Sequence, residues 1–308
     1  MAETKGIGEK LVVAASSRAI FDLESEHRIF EKEGVAAYRR YQIEHLDEPL
    51  KPGVAFPFIS RLLELNRVFP DESPVEVVVL SRNSPETGQR FFNSCRHYRL
   101  PVSKGAFTSG QSTFPFMKAF NACLFLSANR DSVLQANEAG LPAGLVLPNN
   151  FRDDAGDSGL RIAFDFDGVI ADDEAERKYQ TEGFQAFQKQ ETDKRGQPLK
   201  AGPLQQLFSK LSALQKLDAQ KGEDDPYYKP ALRIAIVTSR GAPSEQRLIT
   251  TLKSYGMYAA ELFLLDGLPK DGILQVLKPH IFFDDQLRHL TSSDVPCVLV
   301  PFGINARK

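Results

Sequence analysis

The stretch LRIAFDFDGVIAD, residues 160–172, decides the fold. Leu160–Phe164 is a short, nearly continuous apolar run of the kind that forms a buried strand, and it passes directly into Asp165-Phe166-Asp167-Gly168. Residues two apart on a strand share a face, so both carboxylates are expected to leave the strand together at its C-terminal end. In an open parallel sheet that end is where ligands bind. Gly168 allows the chain to turn sharply there without a Cβ penalty.

Working outward, runs of the same type recur at Leu11–Ala15, Val75–Leu80, Cys123–Leu126, Ile234–Val237, Ile281–Phe283 and Cys297–Val300, separated by stretches of helical periodicity. That alternation predicts an α/β fold of buried parallel strands and crossover helices. The order of events also repeats. Shifting the first half forward by about 149 positions lays Leu11–Tyr38 on Leu160–Phe187 without a gap, and Glu33-Gly34 falls on Glu182-Gly183. Val77–Arg90 then reads like Ile234–Arg247 with one residue dropped, and Lys118–Asn129 follows the plan of Lys270 through His280–Gln286. A duplicated α/β unit is expected, 1–153 and 154–308, joined in the polar stretch Asn149–Ser158.

A chain of 308 residues has room for two such units, each with its own core. A net charge of −2 supplies no general basic surface for a nucleic acid polymer or an anionic membrane, and no apolar run is long enough to span a bilayer. The opening residues lack the apolar stretch of a signal peptide. Cys95, Cys123 and Cys297 form no CxxC pair, which argues against a zinc knuckle or a disulfide framework and for a reduced cytoplasmic protein.

A second acidic pair, Asp284-Asp285, follows the strand-like run Ile281–Phe283. Neighbouring carboxylates repel unless a cation or a shared proton intervenes, and two such pairs brought together make an all-oxygen nest that suits Mg²⁺. Thr238-Ser239 closes the run Ile234–Val237 and offers hydroxyl and backbone donors, while Lys270 opens a helix-like stretch with a fixed positive charge. Singly, a DxD is as often a solvated turn, a Thr-Ser pair is usually a helix cap, and a lysine is usually on the surface. In this order they form one constellation. FTSGQS (Phe107–Ser112) lacks the Gly-Lys-Ser/Thr ending of a phosphate loop and reads as a plain loop. The five histidines show no metal-ligand spacing, and His280 reads as a strand cap. Ala55–Pro70 has the apolar spacing of a core-facing helix.

FDFDGVIAD (164–172), IVTSR (236–240), Lys270 and FFDDQ (282–286) resemble the four motifs of the haloacid dehalogenase (HAD) superfamily of phosphohydrolases. SSRAIFDLESE (16–26), LSRNSPETG (80–88), LFLSAN (124–129) and HIFFDDQ (280–286) carry a narrower resemblance, over nearly the full length, to the cytosolic 5′-nucleotidase type I family. The resemblance implies two tandem HAD-like, Rossmannoid parallel-sheet units, the second with a small helical cap within about 172–230. It also implies Mg²⁺-dependent hydrolysis of nucleoside 5′-monophosphates. Asp165 would be the nucleophile that forms an aspartyl-phosphate, and Asp167 the general acid and base. Mg²⁺ would be held by Asp165, the Asp167 backbone carbonyl and Asp284 or Asp285. Thr238 and Lys270, and more weakly Ser239, would hold the phosphoryl oxygens.

Within the insertion, Leu204–Leu217 and Glu174–Gln190 both read as amphipathic helices. Phe184, Tyr179 or Phe166 would either stack on the nucleobase or simply pack the cap. The motifs alone fit equally well a HAD phosphatase acting on a sugar phosphate or another small phosphomonoester. A third reading is a non-catalytic nucleotide-binding protein.

Under the repeat, Ser16 and Arg18 take the places of Asp165 and Asp167, and Ser127 and Ala128 those of Asp284 and Asp285. Lys118 falls opposite Lys270, and Ser81-Arg82 opposite Ser239-Arg240. The first unit, stripped of catalytic carboxylates, is expected either to bind a nucleotide phosphate as an effector through Arg18, Arg82 and Lys118, or to act as a packing partner that completes a pseudo-dimer. Relatives of this kind also suggest a homo-oligomer.

Overall fold

The computed structural model describes residues 9–306 except 152, 155, 158, 226 and 292. It divides into two compact units, 9–146 and 147–306. In the first unit the order is β1 (Leu11–Ala15), α1 (Ser17–Ile20), β2 (Phe21–Asp22), α2 (Glu24–Glu44), β3 (Lys51–Pro52) and α3 (Phe56–Val68). Then come β4 (Val75–Ser81), α4 (Pro85–His97), β5 (Lys104–Phe107), β6 (Leu124–Ser127), α5 (Arg130–Glu138) and β7 (Ala143–Val146). In the second unit β8 (Leu160–Phe164), α6 (Glu174–Asp193), α7 (Gln205–Asp224) and β9 (Leu232–Thr238) lead to α8 (Glu245–Ser254) and β10 (Glu261–Leu264). They are followed by α9 (Asp271–Leu277), β11 (Ile281–Asp284) and β12 (Cys297–Leu299).

Each unit has a parallel sheet, ordered β7-β6-β1-β4-β5 in the first and β10-β9-β8-β11-β12 in the second. In both, the first strand of the unit lies in the middle, flanked by the strands that carry the later motifs. The strand order therefore reverses at β1 and at β8, the positions where an open α/β sheet leaves a crevice at its carboxyl edge. The middle strands are buried on both faces: every residue of β1 is buried, and Ile162, Ala163 and Phe164 of β8 have no exposed surface. That burial is why these runs are continuously apolar rather than alternating. Among the described residues, no helix is long and apolar enough to cross a membrane.

The correspondence between the units extends to individual hydrogen bonds. Asp165 N donates to Phe283 O at 2.7 Å, and Ser16 N to Leu126 O at 2.8 Å. Arg247 Nε donates to Gln197 O at 3.0 Å, and Arg90 Nε to Glu48 O at 2.9 Å. Leu199 N donates to Thr251 Oγ1 at 3.0 Å, and Leu50 N to Ser94 Oγ at 2.9 Å. α2 and α6 are both kinked, at Gly34 (φ 83°, ψ −178°) and Gly183 (φ 84°, ψ 176°), a backbone region open essentially to glycine alone. The early parts of the units correspond at the offset that sets Leu11 on Leu160. From β4 onward the offset is the one that sets Ser81 on Thr238, again without a gap: Asn83 N donates to Ser81 Oγ just as Arg240 N donates to Thr238 Oγ1. The expected one-residue drop is thus absent, and Arg82 pairs with Ser239 rather than with Arg240.

The insertion 172–230 contains two different things. α7 is the counterpart of α3 and covers the sheet, burying Leu207, Phe208, Leu211 and Leu214. Phe208 meets Phe164 of β8 edge to face at 5.2 Å, and Asp218 Oδ2 accepts from Leu232 N at 2.8 Å. The leucine spacing that suggested a cap helix is therefore that of a core-facing one, and the cap expectation narrows to α6. This helix packs on α8 and leaves Tyr179 and Phe184 about half exposed, at 46% and 50%.

Candidate active site

The carboxyl ends of β8, β9 and β11 bring the expected residues of the second unit together. Asp165, the first residue past β8, is buried; its Oδ1 accepts from Phe166 N at 2.7 Å and its Oδ2 lies 2.9 Å from Lys270 Nζ. Lys270, which caps α9 and is also buried, donates in addition to Asp284 Oδ2 at 2.6 Å. One ammonium group thus bridges the carboxylate after β8 and the one ending β11. Thr238 ends β9 and is buried, whereas Ser239 beside it is exposed. Gly168 has φ 72°, and a Cβ there would run into the Asp285 carboxylate, so both its turn and its lack of a side chain are needed.

The electrostatics are those of a nest short of positive charge. Burial first, then the charges of Asp165 and Asp284, push the Asp285 carboxyl up to about 9. Asp285 Oδ2 accepts from Asn305 Nδ2 at 2.8 Å, while its buried Oδ1 has no hydrogen-bond partner. Burial likewise raises Asp165 to about 7, with Lys270 pulling it down and Asp284 and Asp167 pushing it up. For Asp284 burial pushes upward but is overcome by Lys270 and His289, so its carboxyl is held below the ordinary range. His289 Nδ1 lies 3.1 Å from Asp284 Oδ2. Asp165, Asp284 and His289 each offer a ligand atom within 4.8 Å of the others. The orphaned Asp285 oxygen, the raised Asp165 and Asp285, and a donor set dominated by carboxylate oxygens all fit a hard divalent cation.

Asp167 is placed differently from the other acids. Arg240 Nε and Nη2 donate to its Oδ2 and Oδ1, each at 2.7 Å, a bidentate fork that fixes the carboxylate plane. Arg240 is itself buried, donates from Nη1 to Glu191 Oε2 and to Ser244 O (3.2 Å), and lies over Phe166 at 5.2 Å and Phe187 at 5.7 Å. Burial acts to lower its pKa, but Asp167 and then Glu191 raise it beyond the ordinary arginine value. Arg247 Nη1 reaches the other oxygen of Glu191 at 2.7 Å, so two arginines share one fully buried glutamate. Sequence reading passed over this network, although Arg240 directly follows Thr238-Ser239. His289 and Asn305 lie in the short 3₁₀ turns Leu287–His289 and Gly303–Asn305, with no motif to mark them. Phe166 is fully buried beneath the guanidinium, which removes it as a base-stacking candidate. Tyr179, Phe184 and Phe187 form an aromatic cluster on α6 with centroids 6.2–6.5 Å apart.

In the first unit, Arg18 and Arg82 line a cavity at the ends of β1, β4 and β6, but Lys118 is exposed and does not line it. The later offset places Thr113, not Lys118, opposite Lys270; Thr113 is buried and lines the cavity. His280 Nδ1 accepts from Arg161 N at 3.0 Å, a structural cap between neighbouring strands.

A solved structure described as an S. aureus MnaA-UDP co-structure aligns with 91% of this chain and 75% of its own at 10% identity and a TM-score of 0.19, too low to bear on the fold. Cytosolic 5′-nucleotidase 1B of Homo sapiens is 32% identical over 304 residues, an alignment covering 96% of this chain and 49% of that protein. This chain thus spans about half the length of that relative. The family model described as 5′-nucleotidase matches residues 3–307. With a match over nearly its whole length, this chain belongs to the 5′-nucleotidase family.

Proposed function

We propose that the chain is a Mg²⁺-dependent 5′-nucleotidase that hydrolyses nucleoside 5′-monophosphates through an aspartyl-phosphate on Asp165. The observation that carries this reading is the buried Asp165 carboxylate at the end of β8, bridged by Lys270 to Asp284, in a chain of this family. Asp165 attacks phosphorus as the bond to the 5′ oxygen breaks, and the leaving oxygen takes its proton from Asp167. Water then attacks the phosphoryl group, giving its proton to Asp167 and regenerating Asp165 with release of phosphate. Arg240 orients Asp167 throughout, and one of its two contacts must open when that carboxyl carries the proton. Lys270 and Thr238 hold phosphoryl oxygens, with exposed Ser239 in a lesser part. A Mg²⁺ ion held by Asp165, the Asp167 backbone carbonyl and Asp284 or Asp285 supplies, when bound, the charge that offsets repulsion between the phosphate dianion and the carboxylates.

The base rests against the α6 cluster, where Tyr179 and Phe184 are open to it. Support comes from the first unit, where the corresponding Phe30, Val35 and Tyr38 of α2 line its cavity. The cytosolic relative supports the cytoplasm as the compartment, and a homo-oligomer is the expected assembly, to be read from light scattering on an eluting column.

The test is a panel of nucleoside monophosphates, sugar phosphates and other phosphomonoesters, assayed with Mg²⁺ and with EDTA, for the parent and for Asp165→Asn. Mg²⁺-dependent release of phosphate from nucleoside monophosphates, abolished in the variant, is expected. Faster turnover of a sugar phosphate, or activity retained by Asp165→Asn, would overturn the substrate or the nucleophile respectively.

A further inference from the structure

We propose that the cavity of the first unit is a second nucleotide site, one that binds a nucleoside monophosphate and does not hydrolyse it. The cavity has a volume of about 470 Å³, within the range that encloses a small organic ligand. It opens at the carboxyl ends of β1, β4 and β6, the same place in its sheet that the acidic nest occupies in the other.

The chemistry at those strand ends is inverted. Where the second unit has Asp165, Asp167, Asp284 and Asp285, the first has Ser16, Arg18, Ser127 and Ala128; where it has Lys270, the first has Thr113. Among the described residues no acidic side chain lines this cavity, while Arg18, Arg39 and Arg82 do. Without carboxylates in the lining there is neither an aspartyl nucleophile nor a set of hard ligands for a divalent cation, so an anion needs no metal to offset acids at the strand ends.

The floor is a set of hydroxyls, among them Ser17 and Ser81, whose Oγ atoms are 3.1 Å apart. Arg82 has committed Nε and Nη2 to Gly110 O at 3.0 and 2.9 Å, and Arg39 is paired with Glu86. Arg18 gives Nη2 to Glu24 Oε1 at 2.6 Å, but its Nε is buried with no hydrogen-bond partner. An unpaired guanidinium N–H shut off from water is costly, and a rotation of the partly exposed Arg18 side chain would give it a phosphate oxygen as a charge-assisted acceptor. The other wall is aromatic. On α2, His27 and Phe30 stack at 5.9 Å and Phe30 meets Tyr38 edge to face at 6.2 Å, and all three line the cavity. A lining that joins arginines and hydroxyls with aromatic rings selects a phosphorylated planar ring.

The cavity chemistry alone specifies a phosphorylated aromatic compound; naming it a nucleotide rests on the family reading above. The experiment is calorimetric titration of the full chain with AMP in EDTA, beside Mg²⁺-dependent AMP turnover of the same preparations. The parent is expected to show saturable binding without metal, with orthophosphate competing weakly. Arg18→Ala and Ser127→Asp, the second placing a carboxylate where the anion sits, are each expected to weaken it at least tenfold while retaining parental melting temperature and turnover at saturating AMP. Absence of saturable AMP binding in EDTA, or binding unchanged in both variants, overturns the proposal. So does binding lost in Lys270→Ala but not in Arg18→Ala. Arg18-dependent binding in a chain that turns over no nucleotide would instead sink the nucleotidase reading and leave this site standing.

Discussion

Asp285→Asn should make the metal-free protein more stable while abolishing the proposed Mg²⁺-dependent hydrolysis, and the size of the effect should depend on pH. In the native state burial and two neighbouring carboxylates raise the Asp285 carboxyl from an ordinary 3.8 to about 9. The unfolded chain releases this proton near pH 4 while the native chain keeps it to about pH 9. The native state therefore binds more protons across that window, and stability falls as pH rises, by ~1.4 kcal/mol per pH unit. Near pH 7 some three units of the window have been crossed, an upper bound of ~4 kcal/mol. Asparagine has no proton to retain, can still accept from Asn305, and places an amide N–H₂ where an oxygen lacked a partner. Allowing for relaxation around a buried group, a net gain of ~1–3 kcal/mol is expected, or ~3–9 °C in melting temperature for a unit of this size. The assay is thermal unfolding in EDTA at about pH 5 and about pH 7.5. The gap between variant and parent should be at most ~1.7 kcal/mol at the lower pH and widen at the higher. A variant less stable than the parent at pH 7.5, or a gap that ignores pH, would refute the reasoning.

Three further outcomes follow from the same geometry. Arg240→Ala leaves Glu191 and Asp167 short of a buried partner and should cost ~3–5 kcal/mol in urea unfolding; Arg240→Lys, lacking the planar fork, should recover little of it, and a loss under ~1 kcal/mol would show the network to be slack. Gly183→Ala and Gly34→Ala should each cost ~1–3 kcal/mol from backbone strain alone, because the added methyl meets nothing within 4 Å beyond its own stretch of helix; a neutral effect would mean that the helix straightens freely. Millimolar Mg²⁺ should raise the melting temperature of the parent by several degrees and that of Asp284→Ala hardly at all, since a ligand stabilises only the state that binds it; equal shifts would remove Asp284 from the metal site.

Much of this arrangement is visible in the sequence because it is written in short-range patterns. The middle strands are buried on both faces, so Leu11–Ala15 and Leu160–Phe164 stand out as continuous apolar runs whose observed bounds match the reading. β10 and β5 carry exposed or half-exposed residues and escape a search for apolar runs. Asp165, Asp284 and Thr238 are legible because each closes a recognisable apolar run, and Lys270 because it opens a helical one. Arg240 is not: its importance lies in Glu191, 49 positions earlier, and in two aromatic rings that only the fold brings over it. α7 misleads for a related reason. An amphipathic stripe shows that a helix covers something apolar without saying whether that is a sheet or a lid. Lys118 misleads through likeness of residue type, since matching lysines across the repeat overlooked that the backbone register sets Thr113 opposite Lys270.

The two kinked helices and the hydrogen bonds shared between the units have a use at the bench. One molecule carries two versions of a single backbone plan, one furnished with acids at its strand ends and one with hydroxyls and a guanidinium. The unfurnished copy is a built-in control: its strands and bent helix hold without a single one of those acids. Where one of those acids is substituted, the strands and bent helix beneath it need not be suspected first, since their counterparts stand without it.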